Sequence, residues 1–211
     1  MTTTTPITDS LTPGLAADDP RYAFALAVAT ARAVIDGVRT DQLDDPTPCD
    51  GYDVRRMAGH LVSVLRRVAA VGRGEPPSSV PQVAEDVADD GYGAAALAAA
   101  HEIQAVYADD AILDAPLVLP FATLPGGVAL RISTGEISTH TWDLAVATGQ
   151  SPAWSDEALA VALAATQVGL PAEPRGGDIP FGPVVEVDER APILDRLVAW
   201  QGRDPRWTPA S

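Results

Sequence analysis

Imidazole nitrogens and carboxylate oxygens can hold a divalent metal while leaving coordination positions open, and three residues of this 211-residue chain could supply them: His60, Glu136 and His140. His60 lies in one amphipathic stretch, and Glu136 and His140 are four residues apart in another. Side chains at i and i+4 project from the same face of a helix, so Glu136 and His140 can address one ion together. At about 100° per residue, Ile132, Glu136, His140, Asp143 and Ala147 share one helical face. A buried carboxylate without a partner is costly, so Glu136 and Asp143 must be paired, exposed or bound to an ion. Pairing of Glu136 with an arginine is the alternative to a metal. His60 taken alone reads as a partly buried histidine bonded to a neighbour, and it is the other two residues that favour a ligand role.

Other candidates are weaker. His101 shares its arc with Leu97, Ala98, Ala105 and Ala108 but with no carboxylate, which favours a packed or exposed histidine over a ligand. Cys49 could be a thiolate ligand, yet a small buried hydrophobe is the expected role because three ligands are present without it. Arg66 and Arg67 read as a solvated helix face, and Trp142 as a packing anchor.

Helices must position these groups. Asp19-Pro20 starts the first, with Phe24, Val28, Ala31, Ile35 and Val38 spaced by threes and fours to about Val38. Asp53 caps the second, which carries His60 beside a stripe of Val54, Met57, Ala58, Leu61, Leu65 and Val68. A loop over 74–90 precedes an alanine-rich third helix from Gly91 to Leu113. The proline-rich stretch from Asp114 to Gly127 is expected to be non-helical and to wrap an end of the bundle. The fourth helix, from about Ala129 to Thr148, carries Glu136, His140 and Asp143 and stops at Gly149. Ser155 caps a nearly all-apolar fifth helix ending at Gly169, expected to be covered, and a last short helix starts at about Pro192. The expected organisation is a flexible segment over 1–18 and a single helical domain over 19–211.

Composition excludes several classes. Acidic residues outnumber basic ones 29 to 14, for a net charge of −15. Such a surface repels phosphate backbones and anionic lipid, so neither nucleic acid nor membrane is an expected partner. No apolar run approaches a membrane span, no secretory signal is visible at the N-terminus, and the single cysteine cannot form an internal disulfide. A cytoplasmic location is expected.

Three stretches carry a resemblance. Thr47-Pro48-Cys49-Asp50-Gly51-Tyr52-Asp53-Val54-Arg55 leading to His60, the segment Glu136 to Gly149 with His140-Thr-Trp142-Asp143-Leu144-Ala145, and the ending Gly202-Arg203-Asp204-Pro205 are similar to actinobacterial metal-binding proteins. These are related to the N-terminal domain of mycothiol-dependent maleylpyruvate isomerase, in the DinB-like four-helix-bundle superfamily. The resemblance covers most of the chain from about Asp19. It implies an all-α, up-down-down-up bundle with additional C-terminal helices, and one divalent metal held by His60, Glu136 and His140. Zinc is the first choice, with iron, nickel or manganese also suited to the donors. The implied activity is a transferase or isomerase joining a low-molecular-weight thiol, mycothiol or a similar one, to a small electrophile. Asp143 then orients a ligand histidine or relays a proton. That isomerase also has a separate C-terminal domain contributing an arginine, which the short tail here does not resemble. A non-catalytic metal-stabilised binding module and a metal-dependent hydrolase are the alternatives, and a homodimer is one option for the assembly.

Overall fold

The computed structural model describes residues 14–176 and 181–209. Most of the expected flexible N-terminal segment, residues 1–13, therefore lies outside the described residues. Four long helices, α1 (Pro20–Asp36), α2 (Val54–Gly72), α3 (Tyr92–Val106) and α5 (Gly126–Ala147), close a ring in which α1 packs on α5, α5 on α2, α2 on α3 and α3 on α1. Between α3 and α5 lie a one-turn helix α4 (Ala111–Asp114) and a hairpin of two three-residue strands, β1 (Pro116–Val118) and β2 (Thr123–Pro125). Helix α6 (Asp156–Gly169) lies against α5 and α1, and α7 (Ile193–Trp200) against α6 and α5.

The cap residues act as their chemistry requires. The Asp19 carboxylate accepts the Arg21 amide at 2.8 Å, that of Asp53 accepts the Arg56 amide at 2.8 Å, and Ser155 Oγ accepts the Ala158 amide at 3.2 Å. Each satisfies an amide that has no partner inside the helix. Helix α2 is the centre of the bundle: Met57, Ala58, Leu61, Val62 and Leu65 are fully buried against Val28, Val34, Leu130, Ile137 and Leu144 from α1 and α5. A smaller cluster of Leu159, Ala162, Leu163 and Leu197 holds α6 to α7. Among the described residues, no helix is long and apolar enough to cross a membrane.

Two expectations are corrected here. The third helix stops at Val106 rather than Leu113. Tyr107 is buried there, and the Asp109 carboxylate accepts the Ala111 amide at 2.9 Å, a local bond that competes with helix continuation and starts α4 afresh. The fifth predicted helix, α6, is not covered all round. Ala160, Ala164 and Val168 face solvent, Val168 being 90% exposed. Alanine exposes so little apolar area that only the stripe of Leu159, Ala162 and Leu163 needs a partner.

Candidate metal centre

Helices α2 and α5 are neighbours, and they bring the three predicted donors together. His60 Nε2 lies 4.0 Å from Glu136 Oε1, the rings of His60 and His140 meet at 4.7 Å with an 89° angle between their planes, and one ligand atom from each of the three residues lies within 4.8 Å of the others. The His60 side chain is only 8% exposed and that of His140 14%, while Glu136 at 39% faces a cavity.

The second nitrogen of each imidazole is already engaged. His60 Nδ1 lies 2.7 Å from the Gln82 carbonyl oxygen, which can only accept, so Nδ1 carries the proton and Nε2 presents its lone pair. Burial, with His140 close by, pushes the His60 pKa down to about 3, which keeps the ring neutral at physiological pH. His140 Nδ1 lies 3.0 Å from Asp143 Oδ2 and donates to it, leaving His140 Nε2 as the free nitrogen. Carbonyls and carboxylates in this outer position fix tautomer and ring direction in metal sites.

Asp143 is fully buried, and its second partner comes from the end of the chain. Arg203 Nη2 donates to Asp143 Oδ2 at 3.1 Å and Nε to Oδ1 at 3.3 Å. Burial by itself raises the Asp143 carboxyl, but the His140 bond and the Arg203 charge outweigh it and hold the pKa below the ordinary carboxylate value. The Arg203 pKa is raised in turn, because the Asp143 charge outweighs the guanidinium's own burial. Arg203 Nη2 also lies 3.3 Å from Cys49 Sγ. Cys49 is thus a half-buried thiol in a polar contact rather than a purely apolar filler, and burial pushes its pKa up.

Arg67 corrects another expectation. Arg66 pairs with the exposed Asp86 at 2.8 Å, as a solvated face should. The Arg67 side chain is only 14% exposed and its Nη1 lies 3.9 Å from Glu136 Oε1. That separation is an ion pair but too long for a hydrogen bond, so Glu136 is not consumed by the arginine. The guanidinium rests on the 81–82 loop, with Nη2 3.4 Å from both the Pro81 carbonyl and Gln82 Oε1. His101 is exposed on α3, apart from the cluster, and Trp142 is buried, as a packing anchor should be.

The donor set suits a divalent ion. Two imidazoles and one carboxylate approach one point, with ligand atoms within 4.8 Å of one another, against roughly 3.4 Å between donors around a tetrahedral ion with bonds of ~2.0–2.2 Å. A second cluster of Cys49, His140 and Asp143 shares His140. The Arg203 guanidinium already neutralises that one, so the first is the better cation site.

Glu136, His140 and Arg67 open on a cavity of about 270 Å³ whose walls include Leu119, Phe121, Ile132 and Phe181. A second cavity, about 310 Å³, lies among Phe24, Val28, Ile103 and Leu130, with Tyr107 lining both. Its one charged wall residue, Arg21, is neutralised by Asp19 and Asp110. Two of the three donors, Glu136 and His140, line the smaller cavity. Sequence reasoning missed Gln82, Arg67 and the contact made by Arg203; the Gly202-Arg203-Asp204-Pro205 ending was the only signal of the last.

Comparison with known proteins shows the family and the fold. The mycothiol maleylpyruvate isomerase N-terminal domain family matches residues 24–145. Two uncharacterized proteins of Mycobacterium tuberculosis, one from strain CDC 1551 / Oshkosh and one from strain H37Rv, are each 33% identical over 190 residues, covering 89% of this chain and all of theirs. The crystal structure of the mycothiol-dependent maleylpyruvate isomerase shares the fold with a TM-score of 0.52 at 11% identity, covering 71% of this chain and 68% of that one. The chain belongs to the mycothiol maleylpyruvate isomerase N-terminal domain family.

Proposed function

We propose, from that membership and the donor geometry, that this protein is a metal-dependent thiol transferase or isomerase in which His60, Glu136 and His140 hold a divalent ion, zinc by first choice. The observation that carries the reading is the convergence of two imidazoles, each with its outer nitrogen hydrogen-bonded, and one carboxylate beside a cavity. When bound, the metal supplies a Lewis acid that favours the thiolate form of a thiol at neutral pH. The thiol expected from the family is mycothiol.

The chain's own groups do the rest. The Gln82 carbonyl and the Asp143 carboxylate orient the two imidazoles, and the His140 bond is also the route by which Asp143 relays a proton. Leu119, Phe121, Ile132 and Phe181 give the electrophile an apolar bed that limits water. Arg67, on the wall of the same cavity, offers a cation to an acidic group on that electrophile once the charge of Glu136 is taken up by a metal ion. A cavity of about 270 Å³ admits a small molecule and the reacting end of a thiol.

Cobalt-substituted protein tests this reading. Addition of mycothiol should produce a sulfur-to-metal charge-transfer band in the wild type, and Glu136→Ala or His60→Ala should lose it together with the bound metal. If saturating thiol leaves the spectrum unchanged and no electrophile is consumed, the transferase reading fails and a metal-stabilised binding module takes its place.

A further inference from the structure

The C-terminal tail reaches the site by a defined route. Helix α7 ends in a Schellman turn: the Gly202 amide bonds the Ala199 carbonyl at 3.0 Å and the Arg203 amide the Val198 carbonyl at 2.9 Å. Gly202 adopts φ +83°, and a Cβ there would meet the Gly182 carbonyl oxygen at 2.9 Å, so only glycine turns the chain at this point. Immediately before it, Gln201 Nε2 donates to the Gly135 carbonyl at 3.2 Å, tying the end of α7 to α5 one residue ahead of Glu136.

The turn delivers Arg203 into the interior with every branch of its guanidinium engaged. Nη1 donates to the Gln201 carbonyl at 2.9 Å, Nε and Nη2 clamp the two Asp143 oxygens, and Nη2 touches Cys49 Sγ. Asp143 has a side-chain exposure of 0%, and His140 and Arg203 are its partners. Without the clamp the carboxylate would be free to leave the rotamer that accepts His140 Nδ1–H, and a buried charge would be left half-compensated. The His140 ring would then lose the bond that fixes which nitrogen faces His60 and Glu136.

We propose that Arg203 is a positioning residue for the metal centre: by clamping Asp143 it holds His140 Nε2 toward His60 and Glu136, so that metal affinity is set in part from the C-terminal tail. This rests on the metal reading given above. The same clamp keeps Asp143 and Cys49 from competing for an ion through the second cluster that shares His140.

The full chain, stripped of metal and titrated with zinc against a chromogenic chelator, tests this, with the melting temperature followed with and without zinc. Arg203→Met should bind zinc about 10–100-fold more weakly than the wild type. Arg203→Lys, which keeps the charge but not the planar fork, should fall between the two. The zinc-induced rise in melting temperature should shrink in the same order. A role confined to folding predicts otherwise: the metal-free melting temperature would drop while zinc affinity stayed at the wild-type value, and that result overturns the proposal. Should Arg203→Met fail to fold, Arg203→Lys decides alone, since wild-type zinc affinity in that variant has the same meaning. Zinc affinity that is unchanged in His140→Ala relative to the wild type would instead overturn the metal reading itself.

Discussion

At the scale of single residues, the candidate site combines side chains aimed by helix spacing with groups brought in by a loop and by the C-terminal tail. His60, Glu136 and His140 sit on regular helices, where spacing fixes direction, so their convergence follows once α2 and α5 are neighbours. Gln82 is a backbone carbonyl in a loop, Arg67 turns toward Glu136 only because that loop covers its turn of α2, and Arg203 arrives from 60 residues beyond Asp143. No local pattern encodes such contacts. The environment of His60 has a consequence for pH dependence. Its pKa is depressed to about 3 in the folded protein against an ordinary value of 6.5, so between those limits the unfolded chain binds a proton that the folded chain does not. Stability therefore rises with pH across this window and falls on acidification. The urea midpoint of metal-free protein should decline steadily from pH 6.5 toward pH 4, and His60→Gln should flatten that decline. Equal slopes in the two proteins would show that the ring is not held neutral by burial. Asp143, with its lowered pKa, adds its own loss only at more acidic pH, below the ordinary carboxylate value of 3.8.

At the scale of elements, periodicity and caps located every long helix, and the errors lie where small polar or small apolar side chains decide. The Asp109 side chain bonds the Ala111 amide where α3 ends seven residues early, and alanines let one side of α6 face solvent. The packing of α6 on α5 turns on Gly135, the residue before Glu136. A Cβ there would run into Thr166 Oγ1 and come within 3.4 Å of the Ala162 carbonyl oxygen. Glycine to alanine in an exposed helix interior stabilises by about 1 kcal/mol. Here the sign should reverse, with Gly135→Ala lowering stability by about 1–3 kcal/mol through overpacking against a buried neighbour. Thr166→Ala removes the nearer obstacle, so the double variant should recover much of the loss, an interaction that a double-mutant cycle in urea measures. Strict additivity of the two substitutions would mean that α6 moves aside without cost.

At the scale of the whole molecule, the helical class and the four-helix core were readable because each long stretch carries its own apolar face, whereas the return of the tail to Asp143 depends on how α6 and α7 stack outside that core. Charge acts at this scale too. The exposed pairs Arg39–Asp41, Arg66–Asp86, Arg73–Glu75 and Arg206–Asp204 join groups close in sequence or across one loop. Each such pair lies in open solvent, where it contributes little and salt weakens it. Against them stands the excess of acids behind the net charge of −15, which no internal pairing can remove. Folding brings these like charges closer together, so their repulsion opposes the compact state. Raising salt from about 10 mM to about 100 mM shortens the screening length from ~30 Å to ~10 Å. That relieves the long-range excess more than it weakens contacts at about 3 Å. Sodium chloride added over that range should therefore raise the melting temperature of the metal-free protein, by roughly 2–4 °C if the relief is about 1 kcal/mol. A melting temperature that falls instead would mean that the surface ion pairs outweigh the net charge.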